Sequence, residues 1–249
     1  MELFDTHVHL YEPPLAADAD GVLARAAAAG VTRVVVPAYD LESWTAARAA
    51  ARRPGVFAAL GLHPWVADRP LDLAALRAAL CEPGVVAVGE VGLDAATGPD
   101  LALQIAALRG QLELACELDR PAILHCRGAF EELLALLRGY APRLRGVVHA
   151  FARGPELLER FLSLGLHVAF GGAATRPGSR AARSAPLVPA DRLLLETDAP
   201  SIGLHGIPAH EVEPRHALDV ARALARLRGT TVEELAERTT ANARALFRV

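Results

Sequence analysis

No lysine occurs in this chain; all 26 basic side chains are arginine. That excludes Schiff-base chemistry, a lysine general base and a carbamylated-lysine metal bridge. Positive charge is scarce overall, since 26 basic residues against 29 acidic ones leave a formal net charge of −3 and a pI near 6.3. Such a balance provides no basic field of the kind that grips long nucleic acid. Only three cysteines are present, Cys81, Cys116 and Cys126, and their irregular spacing excludes a disulfide framework and a CxxC metal site. No uncharged apolar run reaches the roughly 18 residues of a membrane span. The chain enters its first strand without the basic and apolar regions of a signal peptide, so a cytoplasmic location is expected. Linkers, repeats and low-complexity tracts are missing too, and residues 1–249 are expected to form a single domain.

What is present is hydrophobic content, 52% of the residues, arranged in alternation. Apolar, β-branched runs at 2–9, 32–37, 56–61, 85–90, 121–126, 146–150, 166–170 and 192–197 predict strands. Amphipathic stretches near 18–30, 41–53, 72–81, 100–119, 129–138, 155–165 and 178–186 predict the helices between them. Eight strands with intervening helices in this length favour an α/β architecture closed as a (β/α)8 TIM barrel. A doubly wound open sheet is the alternative, and no GxGxxG follows the first strand to support it. The tail adds helices near 213–228, 232–238 and 239–247, with Thr231 and Glu234 spaced as a capping box.

The first strand carries "DTHVHL" at positions 5 to 10. In an extended strand residues i, i+2 and i+4 share a face, so Asp5, His7 and His9 are expected to point the same way. Two imidazoles at that spacing can converge on one divalent ion, or they can simply hydrogen-bond in a half-buried strand. In a parallel barrel the active site lies where strands end, and other metal-ligating residue types recur there. Glu90 follows "VVAVG", His125 follows "PAIL", His149 follows "GVV" and Asp198 follows "LLLET". Four histidines and two carboxylates at one end of five strands need a cation or a full set of buried partners. The metal reading is favoured.

Other residues take subordinate expectations. His63, in "GLHPW", and Arg127, two residues beyond His125, are candidate substrate contacts, the guanidinium as a clamp for phosphate or carboxylate. His205, His210 and His216 lie in or after the 201–214 loop, and His205 is favoured as a further substrate contact because it is closest to Asp198. His167 begins the seventh strand and is expected to be structural. Asp94 either supports a ligand or caps the helix near 100, and Cys126 is expected to face away from the pocket.

Taken in order, "DTHVHL", "GLHP", "GEVGLD", "QLELA", "ILHCR", "HAF", "ETDAP" and "TTANARALF" resemble the TatD family of metal-dependent hydrolases within the amidohydrolase-like barrels. The likeness runs from Asp5 to Phe247. It implies a divalent-metal enzyme, often with two ions (Zn, Mn, Mg or Ni), and for several members a 3′→5′ exonuclease on DNA. It places His7, His9, Glu90 and Asp198 around one ion and Glu90, His125 and His149 around the other. Glu90 is then the bridging carboxylate, which suits a chain without lysine, since related barrels bridge with a carbamylated lysine.

Three positions depart from the family pattern. Ala95 and Ala96 stand where an aromatic often follows "GLD", Ala152 and Arg153 replace a small Ser/Thr-Gly segment, and "EVEP" keeps Glu213 and Pro214 but not the usual Asn. These changes bear on the substrate rather than the chemistry. The expected catalytic pair is Glu90 and Asp198, with Asp198 as general base and Asp5 hydrogen-bonded to a ligand imidazole. The expected substrate is a small or single-stranded phosphodiester rather than a long duplex, with no membrane partner. The alternative is an amide or ester hydrolase of the same class, such as a D-aminoacyl-tRNA deacylase or a cyclic-amide hydrolase.

Overall fold

A computed structural model describes residues 1–249. Its strands are β1 (Leu3–Asp5), β2 (Val31–Pro37), β3 (Val56–Leu60), β4 (Val85–Asp94), β5 (Ala122–Arg127), β6 (Gly146–Val148), β7 (His167–Phe170) and β8 (Leu193–Leu195). They pair in parallel in chain order, each with the next. Closure between β8 and β1 comes from a bridge at Val8 and Ala199 and from the amides of Thr6 and Asp198, which donate to Leu195 O (3.2 Å) and His7 O (2.9 Å). The sheet is therefore a nearly closed eight-stranded barrel.

Around it run α1 (Ala19–Ala28), α2 (Leu41–Ala50), α3 (Leu73–Leu80), α4 (Leu101–Glu117), α5 (Phe130–Arg138), α6 (Pro155–Leu162) and α7 (Arg180–Ser184), followed by α8 (Ala217–Arg228) and α9 (Val232–Phe247). Asp40, Asp72 and Ser179 cap α2, α3 and α7 with their side chains, satisfying amides that the first turn leaves unpaired. No helix is long and apolar enough to cross a membrane.

The side-chain period of two sorts each strand between two cores. Val34 and Val36 pack outward in the shell beneath the helices, while Val35 packs inward. Phe4, Val35, Ala59, Ala87, Ile123, Val147, Ala169 and Leu194, one from each strand, fill the barrel as a layer. Ala243, Leu246 and Phe247 of α9 close that layer from below. On β5, β6 and β8 the next inward positions, two residues on, are His125, His149 and Glu196. The same alternation that builds the apolar plug thus places the polar groups directly above it.

The tail differs from the sequence reading. The helices expected near 232–238 and 239–247 are one continuous helix, α9. Thr239 Oγ1 donates to Leu235 O one turn earlier (2.9 Å), which satisfies the hydroxyl without leaving the helix. The helix starts as expected, with Glu234 N donating to Thr231 Oγ1 (3.2 Å) and Thr231 N to Glu234 Oε2 (3.1 Å).

Phe247 is 1% exposed at the floor of the barrel. Phe247→Ala should cost about 3–5 kcal/mol through lost burial and the cavity left behind, lowering Tm by roughly 10 °C for a chain this size. A melt within 2 °C of the parent (~0.5–1 kcal/mol at this size) would contradict the plug.

Candidate metal centre

Above the plug, buried side chains converge on Glu90. Glu90 lies within β4 rather than at its end, because that strand runs on to Asp94 with all ten residues buried. The extension requires Gly92: a Cβ there would sit 2.0 Å from the carbonyl oxygen of His125 on the neighbouring strand. One carboxylate oxygen, Oε2, lies 3.2 Å from His7 Nε2 and 3.8 Å from His9 Nε2. The other, Oε1, lies 2.8 Å from His149 Nε2, 3.0 Å from His125 Nδ1 and 3.2 Å from His63 Nε2. Asp198 joins the first side, its Oδ1 3.4 Å from His9 Nε2 and 3.8 Å from His7 Nε2. His7 and His9 meet at Nε2 (3.3 Å), and His125 Nδ1 and His149 Nε2 lie 3.4 Å apart. The structure thus brings His7, His9, Glu90, His125, His149 and Asp198 into one cluster, with Glu90 between two groups.

Electrostatics follow from this crowding. Burial opposes ionisation of Glu90, but His149, His63 and His7 hold its carboxyl well below the usual range. Burial likewise opposes the charge on Asp198, and the hydrogen bond with His9 and the nearby imidazoles overcome it. Burial disfavours charge on His149, yet Glu90 pushes it up to about 10. His7 goes the other way, down to about 4, through burial and the neighbouring His149. The Nδ1 atoms of His7, His9 and His149 and Oε2 of Glu196 are buried without a hydrogen-bond partner. Imidazole nitrogens and carboxylate oxygens this close together form a donor set that fits divalent cations.

Several residues take places the sequence did not suggest. Asp5 does not touch a ligand imidazole. It accepts from the amides of His7 (3.2 Å) and Thr197 (2.9 Å) and from Thr197 Oγ1 (2.5 Å), because β1 ends at Asp5 and its carboxylate stitches the exits of β1 and β8 together. His205 is exposed and does not line the pocket, its amide tied to Thr175 Oγ1 (2.8 Å). Ser201 and Ile202 of the same loop line the pocket instead. His210 is exposed beside Glu211, and His216 Nδ1 accepts from Glu213 N (2.9 Å). Glu213 itself receives two hydrogen bonds of 2.9 Å from Arg25, tying the approach to α8 onto α1.

His63, read as a substrate contact, faces the pocket and lies against Glu90 as well. Asp94 supports rather than caps: its Oδ2 accepts from His125 Nε2 (3.0 Å) and Trp65 Nε1 (2.7 Å). Cys126, expected to face away, packs against the outer core yet also reaches the pocket wall. His167 begins β7, as its structural reading required.

Glu196 escaped the sequence reading. It is 1% exposed, its Oε1 lies 3.8 Å from His149 Nδ1, and it accepts from the amide of Ala150. Burial pushes its carboxyl up to about 8 despite the opposing charge of His149. The alternation that pairs His7 with His9 could have found it, since Glu196 is two residues before Asp198. Both Asp198 (φ 53°) and Ala150 (φ 47°) adopt left-handed backbone, uncommon for non-glycine residues and concentrated at functional sites.

The cluster forms the floor of a cavity of about 680 Å³, whose walls include Tyr39, Trp65, Arg127, Phe130 and Arg153. Arg127 ends β5 exposed and without a carboxylate partner, because Glu131 pairs with Arg160 (2.7 Å) instead. Arg153 rests its guanidinium 4.7 Å from the Phe130 ring centroid.

The profile of the TatD related DNase family matches residues 4–248. The chain belongs to that family. It is 40% identical over 259 aligned positions to the 3′-5′ ssDNA/RNA exonuclease TatD of Erwinia billingiae, covering 99% of each. It is 38% identical to the metal-dependent hydrolase YjjV of Escherichia coli, covering 98% of this chain and 97% of that one. The crystal structure of YjjV, a TatD homologue, superposes with a TM-score of 0.92 over 99% of this TatD-family chain and 98% of its own. A hydrolase of the TatD family from Entamoeba histolytica, at 20% identity and a TM-score of 0.89, shares the fold.

Proposed function

We propose that this chain is a metal-dependent 3′→5′ exonuclease on single-stranded nucleic acid, with two divalent ions held on either side of Glu90. The observation that carries the reading is the division of Glu90's two oxygens, Oε2 towards His7 and His9, which also meet Asp198, and Oε1 towards His125, His149 and His63. When bound, divalent ions supply charge that polarises a phosphoryl oxygen and lowers the pKa of water towards neutrality. Zn, Mn, Mg and Ni all suit these donors.

The chain's own groups do the rest. His9 helps keep Asp198 ionised in a buried setting. Its carboxylate can therefore take a proton from the attacking water and return it to the leaving oxygen. Asp94 fixes the ring of His125, and Glu196, bound to the Ala150 amide, fixes the chain after His149. Arg127 holds the anionic oxygens that the reaction leaves unchanged. A cavity of about 680 Å³ admits one or two nucleotides, and a net charge of −3 provides no long track for a duplex.

The test compares metal-loaded enzyme on a 3′-ended oligonucleotide, a circular single strand and an aminoacyl ester. Cleavage of the linear strand alone supports the exonuclease. Rapid cleavage of the circle rejects it, and activity confined to the ester moves the reading to the deacylase. Binding of the linear strand should depend only weakly on salt. Each phosphate neutralised contributes about 0.7 to the log–log slope on single strands, so one or two contacts give a slope of magnitude below about 2. Arg127→Ala should lower that slope by about 0.7 and weaken phosphodiester binding while sparing a neutral amide. An unchanged slope would remove Arg127 from the phosphate site.

A further inference from the structure

Among the large apolar side chains left exposed, Met1, Leu41, Leu73, Leu103 and Leu187 lie outside the cleft, and Trp65 lies in its wall. Single exposed apolar residues are ordinary on a surface. Trp65 differs because it is 47% exposed yet held from several directions. Its indole Nε1 donates to Asp94 Oδ2 (2.7 Å), and its amide donates to His63 Nδ1 (3.2 Å). The indole packs edge-on against His63, with centroids 4.7 Å apart and planes at 76°. Its backbone rests on Gly98, where the left-handed φ of 99° and the closeness of Pro64 O and Trp65 Cα (both 2.8 Å from a Cβ built there) leave no room for another residue. The ring therefore presents a flat, pre-oriented surface whose centroid is 6.2 Å from that of His125. Ordering such a surface before the ligand arrives removes part of the entropic cost of binding.

We propose that Trp65 is the stacking platform for the base of the 3′-terminal nucleotide, which sets that nucleotide beside the metal centre. The proposal rests on the exonuclease reading above. A planar heterocycle is the ligand group that an indole face beside a phosphate-binding cleft fits, and base–aromatic stacking tolerates any base. Asp94 couples the platform to the chemistry, since the same Oδ2 that receives the indole N–H receives His125 Nε2. Terminal-nucleotide recognition by stacking fits a protein with too little basic surface to track a long strand.

The chain has two tryptophans, and the other, Trp44, is 7% exposed with its indole N–H on Gly61 O (2.8 Å). Quenching of tryptophan fluorescence by a single-stranded oligonucleotide therefore reports Trp65. With the metal-loaded full chain, the oligonucleotide should quench wild type, and Trp65→Ala should raise KM by roughly 5- to 150-fold, the fold-change of one lost stacking contact. Trp65→Phe, which keeps a flat ring without the N–H, should recover most of the KM. An oligonucleotide with an abasic 3′-terminal nucleotide should bind wild type as weakly as the intact strand binds Trp65→Ala, and the two losses should not add. Equal KM increases for Trp65→Ala on intact and abasic strands would overturn the platform, as would Trp65→Phe behaving like Trp65→Ala or the absence of quenching. Wild type that cleaves no 3′-ended strand overturns the exonuclease reading along with the platform. Normal cleavage without the Trp65–base coupling overturns the platform alone.

Discussion

Asp198→Asn should lower kcat by about 10⁴-fold or more while the protein keeps its fold and its melting temperature within a few degrees. Acid–base catalysis by a positioned side chain contributes about 10²–10⁴-fold, and here the same carboxylate also belongs to the cluster that holds the cation. The asparagine variant is a clean probe for a backbone reason. Asp198 sits at φ 53°, a region asparagine tolerates nearly as well as aspartate, whereas alanine would add conformational cost. The amide of residue 198 would still donate to His7 O and keep β8 joined to β1. Near-normal turnover in a correctly metallated Asp198→Asn enzyme would remove Asp198 as the general base.

Glu90→Gln should bring turnover to the limit of detection by a different route. A glutamine offers one oxygen and one NH2, so it cannot present negative oxygens to both groups at once. On the oxygen side it would meet three imidazoles or two, and on the other side the NH2 would face ring nitrogens. Glu90 is 4% exposed with imidazoles against both of its oxygens, so the substitution also removes the one negative charge that both groups share in a buried site. Imidazoles left against an amide can stay neutral, so the chain folds while the two sites weaken together. A variant that keeps measurable turnover with unchanged metal dependence would contradict this role.

How much of this was legible beforehand depended on which physical rule governed each residue. The barrel was readable because eight apolar runs alternate with amphipathic ones, and the family likeness spans nearly the whole chain. The positions of His125, His149 and Asp198 were readable because each follows an apolar run at the functional end of a strand. Boundaries were less so. β1 stops at Asp5 although the period-two pattern continues to His9, since beyond Asp5 the chain meets its neighbours through isolated hydrogen bonds and the single bridge of Val8 and Ala199 rather than a continuous ladder.

That early exit turned Asp5 from a presumed imidazole partner into a backbone stitch. His205 lies outside the pocket lining for a related reason: nearness in sequence to Asp198 says little once a loop folds back on Thr175. Glu196 was missed because the apolar run "LLLETD" drew attention to its last acid, although its neighbour two residues earlier shares the inward face. Trp65 carried no sequence signal beyond following His63, because its significance lies in the indole bond to Asp94 across 29 residues.

The claim at the centre of the account is that one carboxylate joins two cation sites. Counting bound metal tests it most directly. Wild type and Glu90→Gln, each confirmed folded by its melt, are loaded with Mn or Zn, exchanged into metal-free buffer and measured for equivalents per chain. The account predicts close to two equivalents in wild type and loss of both in Glu90→Gln. A wild-type protein that holds a single equivalent, or a Glu90→Gln variant that loses one while binding the other with unchanged affinity, would contradict it.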